Sequence, residues 1–292
     1  MRPAAVVSVD VDPVDLHLVG YGFRGLPPDP SIYVHAMPRL LDVLARCGIR
    51  ATLFMVGRDA EAQAAIVGGA VAAGHEIASH TWSHPIGFAS LPVERQLHEL
   101  ADSKRALERA GGREVVGFRA PNFDMNAAAA ARLAAAGYRY DASAYPSPML
   151  VPARALLALK GRNPLGVLAM RPWPFTWRRT PFTWRLSGGS LREFPLAVTP
   201  GLRVPVYHTL RYYSDERRFG PQLDAFARRG ELLSYVLHAV DALGLVEDGI
   251  DPRLHKHPGM DRALGPKLAL LERSLRAVAE RFDPMTYAEL LG

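Results

Sequence analysis

Two short stretches of this chain hold residue types that hydrolytic metal chemistry uses. Asp10-Val11-Asp12 ends an apolar run, and strand alternation puts both carboxylates on one face. Such a pair is either two solvated carboxylates at a strand end or a buried pair that needs a metal or another cation. His80-Thr81-Trp82-Ser83-His84 sets two histidines at i and i+4. On a helical turn they share a face and can bind one metal; otherwise one is a core histidine and the other is exposed. A carboxylate with two imidazoles is a common facial ligand set that leaves positions open for water and substrate. Those ligand types suit one divalent ion, zinc first, with cobalt or nickel also compatible.

The elements that carry these stretches must end side by side. Ala4–Val9 is β-rich and apolar, as in a central parallel strand, and runs directly into Asp10. Residues 13–31 are rich in proline and glycine and read as a long loop. Val34–Cys47 has helical apolar spacing and stops at Gly48. Arg50–Val56 reads as a strand and Glu61–Ala73 as a helix ended by Gly74, before a short strand, Glu76–Ser79, that leads into His80. Ser90 is the expected cap of a helix with body Val93–Arg109, with Pro92 tolerated in its first turn. Val115–Phe118 is a strand into Arg119, Asn126–Ala136 a helix and Tyr138–Asp141 another strand. Further on, Leu191–Val198 reads as a strand, Gln222–Arg229 and Glu231–Leu243 as helical or mixed, and Pro266–Arg281 as a long amphipathic helix. The alternation predicts a parallel sheet with right-handed crossovers. The polar residues of interest fall just after strand C-termini, where barrel and open α/β folds place their sites.

In this order, SVDVD, GHEIASHTWSH and GFRAPNF resemble the motifs of the polysaccharide deacetylase family, carbohydrate esterase family 4, in its branch with DVD rather than adjacent aspartates. FDPMTYAELL resembles that branch's ending. The resemblance implies an α/β fold, a distorted parallel (β/α) barrel of about seven strands. It implies metal-dependent hydrolysis of the N-acyl amide, above all the N-acetyl amide, of an amino sugar, which releases acetate and a free amine. It also implies roles. Asp12, His80 and His84 match the metal ligands and Asp10 the general base. Arg119, in Arg119-Ala120-Pro121, matches the arginine that pairs with the base. His238, in Tyr235-Val236-Leu237-His238, matches the general acid. Asp141 sits where the family places a further aspartate that tunes the acid histidine, but the tryptophan that follows it there is missing.

The chemistry agrees with those roles. An amide is a poor electrophile with a poor leaving group, so a metal that lowers the pKa of water toward roughly 7 and polarises the carbonyl is apt. The amine cannot leave as an anion and must be protonated. The other polar candidates carry less. His75 precedes a buried strand and reads as structural, and His255 and His257 read as a surface loop. Glu193, inside a strand-like run, either is structural or reaches the sugar.

Composition bounds the rest. The chain has 292 residues, 49% hydrophobic and 22% charged, enough to bury a core as one domain over 1–292. Net charge is +6, which by itself supports no nucleic-acid reading because no binding module is visible. Cys47 is the single cysteine, and no apolar run reaches a spanning length, so the expectation is a cytoplasmic protein. Residues 142–192 hold no Asp or Glu but are rich in Arg, and Trp173, Trp177 and Trp184 fall there. They read as an insertion that either contacts an anionic membrane face and a lipid-linked sugar, packs on the barrel, or stacks its tryptophans on a soluble glycan. The alternatives to the main reading are a deformylase or deacetylase of a lipid-carrier-linked amino sugar, and a non-catalytic glycan- or membrane-binding homologue.

Overall fold

The computed structural model describes residues 2–152, 154–155 and 176–292. The first strand, β1 (Ala4–Val11), organises the molecule. Its odd-numbered residues Ala5, Val7, Val9 and Val11 are fully buried in the large core shared with the helices. Each of the three valines contributes about 1.5–3 kcal/mol through burial. Its even-numbered residues face the other way. Val6 joins a smaller cluster with Phe54, Tyr140, Phe194 and Tyr287, followed along the strand by buried Ser8 and Asp10. Alternation therefore separates a helix-facing side from an inward side that becomes polar toward its C-terminus.

Outward from β1 on one side lie β2 (Thr52–Met55), β3 (Glu76–Ser79), β4 (Gly117–Phe118), β5 (Tyr140–Asp141) and β7 (Gly189–Glu193), all parallel. On the other side lies β8 (Leu233–His238), also parallel. The parallel barrel of about seven strands expected from sequence thus forms. It is extended by β6 (Phe182–Leu186), antiparallel to β7, and by short β9 (Asp283–Met285), which pairs with the start of β1. The sheet curls around inward aromatics. Phe194 and Tyr287 stack at 4.9 Å, and Tyr287 lies 6.2 Å from Phe54. Beyond β7 the chain reaches Ala197, whose N–H donates to the Ser234 carbonyl at 3.2 Å, so the last strands approach each other. The C-terminal motif has a physical role here, since Tyr287 plugs the end of the barrel away from the polar one.

The helices α2 (Met37–Arg46), α3 (Ala64–Ala72), α4 (Val93–Gly111), α5 (Ala127–Ala135) and the late helix Leu264–Arg281 fall where periodicity places them. Gly48 takes φ +65° immediately after α2, a left-handed exit that glycine adopts without a Cβ clash. Asn126 caps α5 by accepting from the Ala129 N–H at 2.8 Å.

Several expectations are corrected. The stretch 13–31 contains a helix, α1 (Val14–Gly20), because Val14, Leu16 and Leu18 find a core to bury in. Pro92, not Ser90, stands at the N-cap of α4, with no side-chain cap bond. Glu231–Leu243 is not helical: it is β8 followed by a 3₁₀ turn, Ala239–Ala242. The strand expected over Leu191–Val198 is displaced to Gly189–Glu193. Residues 142–192 are not wholly an insertion, since they supply the β6–β7 hairpin that continues the sheet. Arg171, Trp173 and Phe175 lie outside the described residues. Of the rest, Arg179 pairs with Glu231 at 2.8 Å, Arg178 lies over the Phe182 ring, and the Trp184 indole donates to Glu193 at 3.1 Å. Those contacts favour packing on the barrel over a membrane face. No helix among the described residues is long and apolar enough to cross a membrane.

Candidate active site

Strand register assembles the site. Asp10 is level with Phe54 on β2 and with His238 on β8. Ser79, the residue before His80, is level with Phe118, the residue before Arg119, and Phe118 with Asp141. The candidate residues therefore converge at the C-terminal ends of neighbouring parallel strands, where the backbone turns out of the sheet and side chains are free to aim inward.

Arg119 is 1% exposed and reaches across the barrel. Its Nη1 donates to Asp10 Oδ1 at 2.6 Å, Nη2 to Ser8 Oγ at 2.9 Å and Nε to the Ala142 carbonyl at 3.1 Å. Its guanidinium lies 4.0 Å above the Phe54 ring. Burial pushes the Asp10 carboxyl up, but Arg119, with His80 and His238, outweighs it and holds the group below the usual carboxylate value. His238 Nε2 lies 3.8 Å from the second Asp10 oxygen, and the His238 backbone N–H donates to Asp241 at 2.9 Å.

Asp12 is different. Its Oδ1 lies 3.4 Å from His80 Nε2 and 3.5 Å from His84 Nε2, and it is a buried oxygen with no hydrogen-bond partner among the described residues. Asp12, His80 and His84 offer ligand atoms all within 4.8 Å of one another. His80 Nδ1 lies 2.7 Å from the Arg119 carbonyl, which can only accept, so the ring proton sits on Nδ1 and the Nε2 lone pair faces Asp12. Burial lowers the pKa of both imidazoles, His84 to about 4, so both are neutral donors near pH 7. Burial, reinforced by the charge of Asp10, raises Asp12 above its usual value. An unpartnered carboxylate oxygen facing two neutral imidazole nitrogens lacks a cation, and a divalent ion fits that donor set.

The histidine pair does not share a helical turn. Residues 80–84 form a loop in which Thr81 has φ +69° and His84 φ +53°. A β-branched residue in the left-handed region is strained by about 1–3 kcal/mol, and the surroundings must enforce it. They do so through Gly57 N–H to the Thr81 carbonyl at 2.9 Å and Arg58 N–H to the Trp82 carbonyl at 3.0 Å. Fully buried Glu99 also accepts from Ser83 N–H at 2.7 Å and from Ser83 Oγ at 2.6 Å.

Asp141 is fully buried at the end of β5, where Ser143 Oγ donates to it at 2.6 Å. Burial pushes it up to about 6, and it shares its surroundings with Glu193, also raised well above its usual value by burial and by Asp141. Its polar partners are Ser143 and Glu193 rather than His238. Glu193 accepts from Ala144 N–H at 3.0 Å as well as from Trp184, so it is a structural member of the barrel end.

The cleft over the ligands has a volume of about 300 Å³ and is walled partly by residues that sequence reasoning missed. His17, on α1, and His257 meet edge-to-face at 4.6 Å, and Tyr21 Oη lies 3.4 Å from His257 Nδ1. His257 is thus a cleft residue and not part of a surface loop; His255 is exposed, with Nδ1 2.9 Å from the Pro252 carbonyl. His75, as expected, is structural, its Nδ1 accepting from Ala51 N–H at 3.0 Å. Phe123, Tyr145, Arg154 and Tyr207 also line the cleft. Nothing local in the sequence marks these residues, because remote segments bring them together.

Residues 29–140 match the family described as polysaccharide deacetylase. Over that stretch the chain is similar to the polysaccharide deacetylase family. The family match contains His80, His84 and Arg119, while Asp10 and Asp12 precede it and Asp141 and His238 follow it. The chain is 33% identical over 102 residues to a chitin deacetylase of Pestalotiopsis, covering 34% of each protein. It is 29% identical over 140 residues to a peptidoglycan deacetylase of Helicobacter pylori, covering 47% of each. The chain thus spans less than half the length of these relatives. A solved structure from Mycobacterium smegmatis, assigned as a polysaccharide deacetylase, superposes with a TM-score of 0.62 at 17% identity over 98% of this chain and 88% of that one, which shows the shared fold.

Proposed function

We propose that this chain, acting as a single catalytic domain, hydrolyses the N-acetyl amide of an amino sugar and releases acetate and a free amine. The observation that carries the reading is the Asp12 oxygen, unpartnered among the described residues and facing two neutral imidazole nitrogens, two residues along the chain from an Asp10–Arg119 ion pair. Asp12, His80 and His84 would hold one divalent ion, zinc by ligand type. A cation there supplies Lewis acidity, acidifying water and polarising an amide carbonyl.

The other roles follow from position. Asp10 is kept ionised by Arg119, and its second oxygen remains free to take a proton from water. Arg119 is committed to Asp10, Ser8 and Ala142, so it orients the base and does not reach substrate. His238 stands level with Asp10 on the next strand, placed to hand a proton to the departing amine nitrogen. The Asp241 bond to its backbone fixes where β8 ends and therefore where the imidazole projects. Aromatic rings on the cleft wall offer flat apolar faces for a sugar ring.

The test is release of acetate or formate from a panel of free, polymeric and lipid-linked N-acylated amino sugars by zinc-loaded protein. Acetate release from at least one member, with His238→Ala losing most on amides and least on esters with good leaving groups, is expected. No release from any member would refute the reading, and formate alone would shift it to a deformylase.

A further inference from the structure

Arg154 stands in the wall of the same cleft as Asp12, His80 and His84, and only 8% of it is exposed. Its Nη2 donates to the Asn122 carbonyl at 3.1 Å. Its Nε and Nη1 are buried with no hydrogen-bond partner among the described residues. Burial pulls its pKa down, with Asp124 and Tyr145 opposing from nearby. No salt bridge joins Arg154 to a carboxylate among the described residues, and residues 142–192 contain no Asp or Glu to supply one. Asp124 already accepts from Ala89 N–H at 3.0 Å.

A guanidinium has no accessible neutral form, so it cannot escape burial by losing its proton. A buried, half-satisfied cation is costly, and folds keep such groups where something else completes them. Its one bond is to a strained loop: Asn122 and Phe123, just beyond Arg119-Ala120-Pro121, both have φ +55°. Arg154 thus grips the loop with one nitrogen, while Nε and Nη1 lie unpaired beneath the cleft wall that the side chain helps to form.

We propose that Arg154 is a substrate-recognition residue for an oxyanion, and that the amino sugar this chain deacylates carries a phosphate or carboxylate substituent. Arginine binds both groups by charge-assisted hydrogen bonds, which are shorter and stronger than neutral ones. Water is largely excluded at this depth, which strengthens the contact further. The substituent sits beside the sugar, where Asn122, Phe123 and Arg154 line the cleft. This inference rests on the deacylase reading for the nature of the substrate, but not for the existence of the anion site.

Two measurements test it. The first is kcat/KM for a neutral N-acetylated amino sugar, its phosphate monoester and its carboxylate-bearing counterpart, in wild type, Arg154→Gln and Arg154→Lys. In Arg154→Gln the anionic-to-neutral ratio for the preferred anion falls on the order of 10–100-fold, and Arg154→Lys recovers part of it. Whichever anionic arm shows the larger fall identifies the group. The second is binding of inorganic phosphate by calorimetry to the same three proteins. A Kd at least about tenfold weaker in Arg154→Gln than in wild type supports the site even if no amino sugar is turned over. An unchanged ratio with equal phosphate binding in all three proteins would overturn the proposal and leave Arg154 as a clamp on the Asn122 loop.

Discussion

The Asp10–Arg119 pair allows a quantitative test. Both side chains are buried, joined at 2.6 Å, and Arg119 spends its remaining donors on Ser8 and Ala142. Replacing Arg119 by Met keeps an unbranched side chain over the Phe54 ring but strands the Asp10 charge. Breaking a buried pair from one side costs about 3–5 kcal/mol. At about 2–3 °C per kcal/mol for a chain of this size, Tm falls by roughly 6–15 °C. Asp10→Asn strands the cation instead, though Ser8 and the Ala142 carbonyl still accept from it, so its loss is smaller. The double variant Asp10→Asn/Arg119→Met removes both charges, and the part of each single loss that came from the orphaned partner disappears. The expected coupling energy is about 2 kcal/mol or more, measured by urea unfolding of the four proteins under one metal condition. Simple additivity, with a coupling below about 0.5 kcal/mol, would refute the claim that this pair organises the site.

Metal content separates ligands from base. His84→Ala should lose both bound zinc and turnover, whereas Asp10→Asn should lose turnover but keep near-stoichiometric zinc by elemental analysis, and loss of zinc in Asp10→Asn would make Asp10 a ligand. His75 gives a pH signature: burial lowers its folded pKa below 6.5, so between the two values the unfolded chain binds more protons and stability rises as pH rises. Its contribution is whole above 6.5 and is lost as pH drops toward the depressed folded value. His75→Asn should therefore narrow the Tm difference between pH 8 and pH 5.5 relative to wild type, and an unchanged difference would count against it.

Much of the site was legible because strand ends are. An apolar run that breaks into Asp, His or Arg marks the point where a buried strand leaves the sheet, and that signal located Asp10, His80 and Arg119 without help from packing. It weakened where both faces of a strand are buried. Ser234, Tyr235, Val236 and Leu237 are all nearly inaccessible, so β8 shows no alternation to distinguish it from a helix. The histidine pair shows a second limit. Its i, i+4 spacing suggested a helical turn, but a strained loop held by Glu99 and by backbone bonds to Gly57 and Arg58 brings the rings together. Left-handed φ at Thr81 cannot be read from residue type, since threonine is among the residues that resist it. His17 and Arg154 were illegible for a third reason: no short pattern contains them, and only the closed fold makes them neighbours; His257, read as part of a surface loop, joins the cleft for the same reason.

Charge accounting in the cleft connects these observations. Two carboxylates, Asp10 and Asp12, are buried beside one guanidinium, and Arg119 is spent on Asp10. Both nearby imidazoles are held neutral by burial, so neither compensates Asp12, which leaves one negative charge requiring a cation. Elsewhere in the wall of the same cleft the imbalance has the other sign, a buried guanidinium at Arg154 with no paired carboxylate among the described residues. The two charges do not satisfy each other, since no salt bridge joins Arg154 to Asp12 among the described residues. Two unmet charges of opposite sign in one cavity are costly to the empty protein. They fit one bound state in which a divalent cation meets Asp12 while an anionic sugar meets Arg154, which predicts that each ligand binds more tightly in the presence of the other.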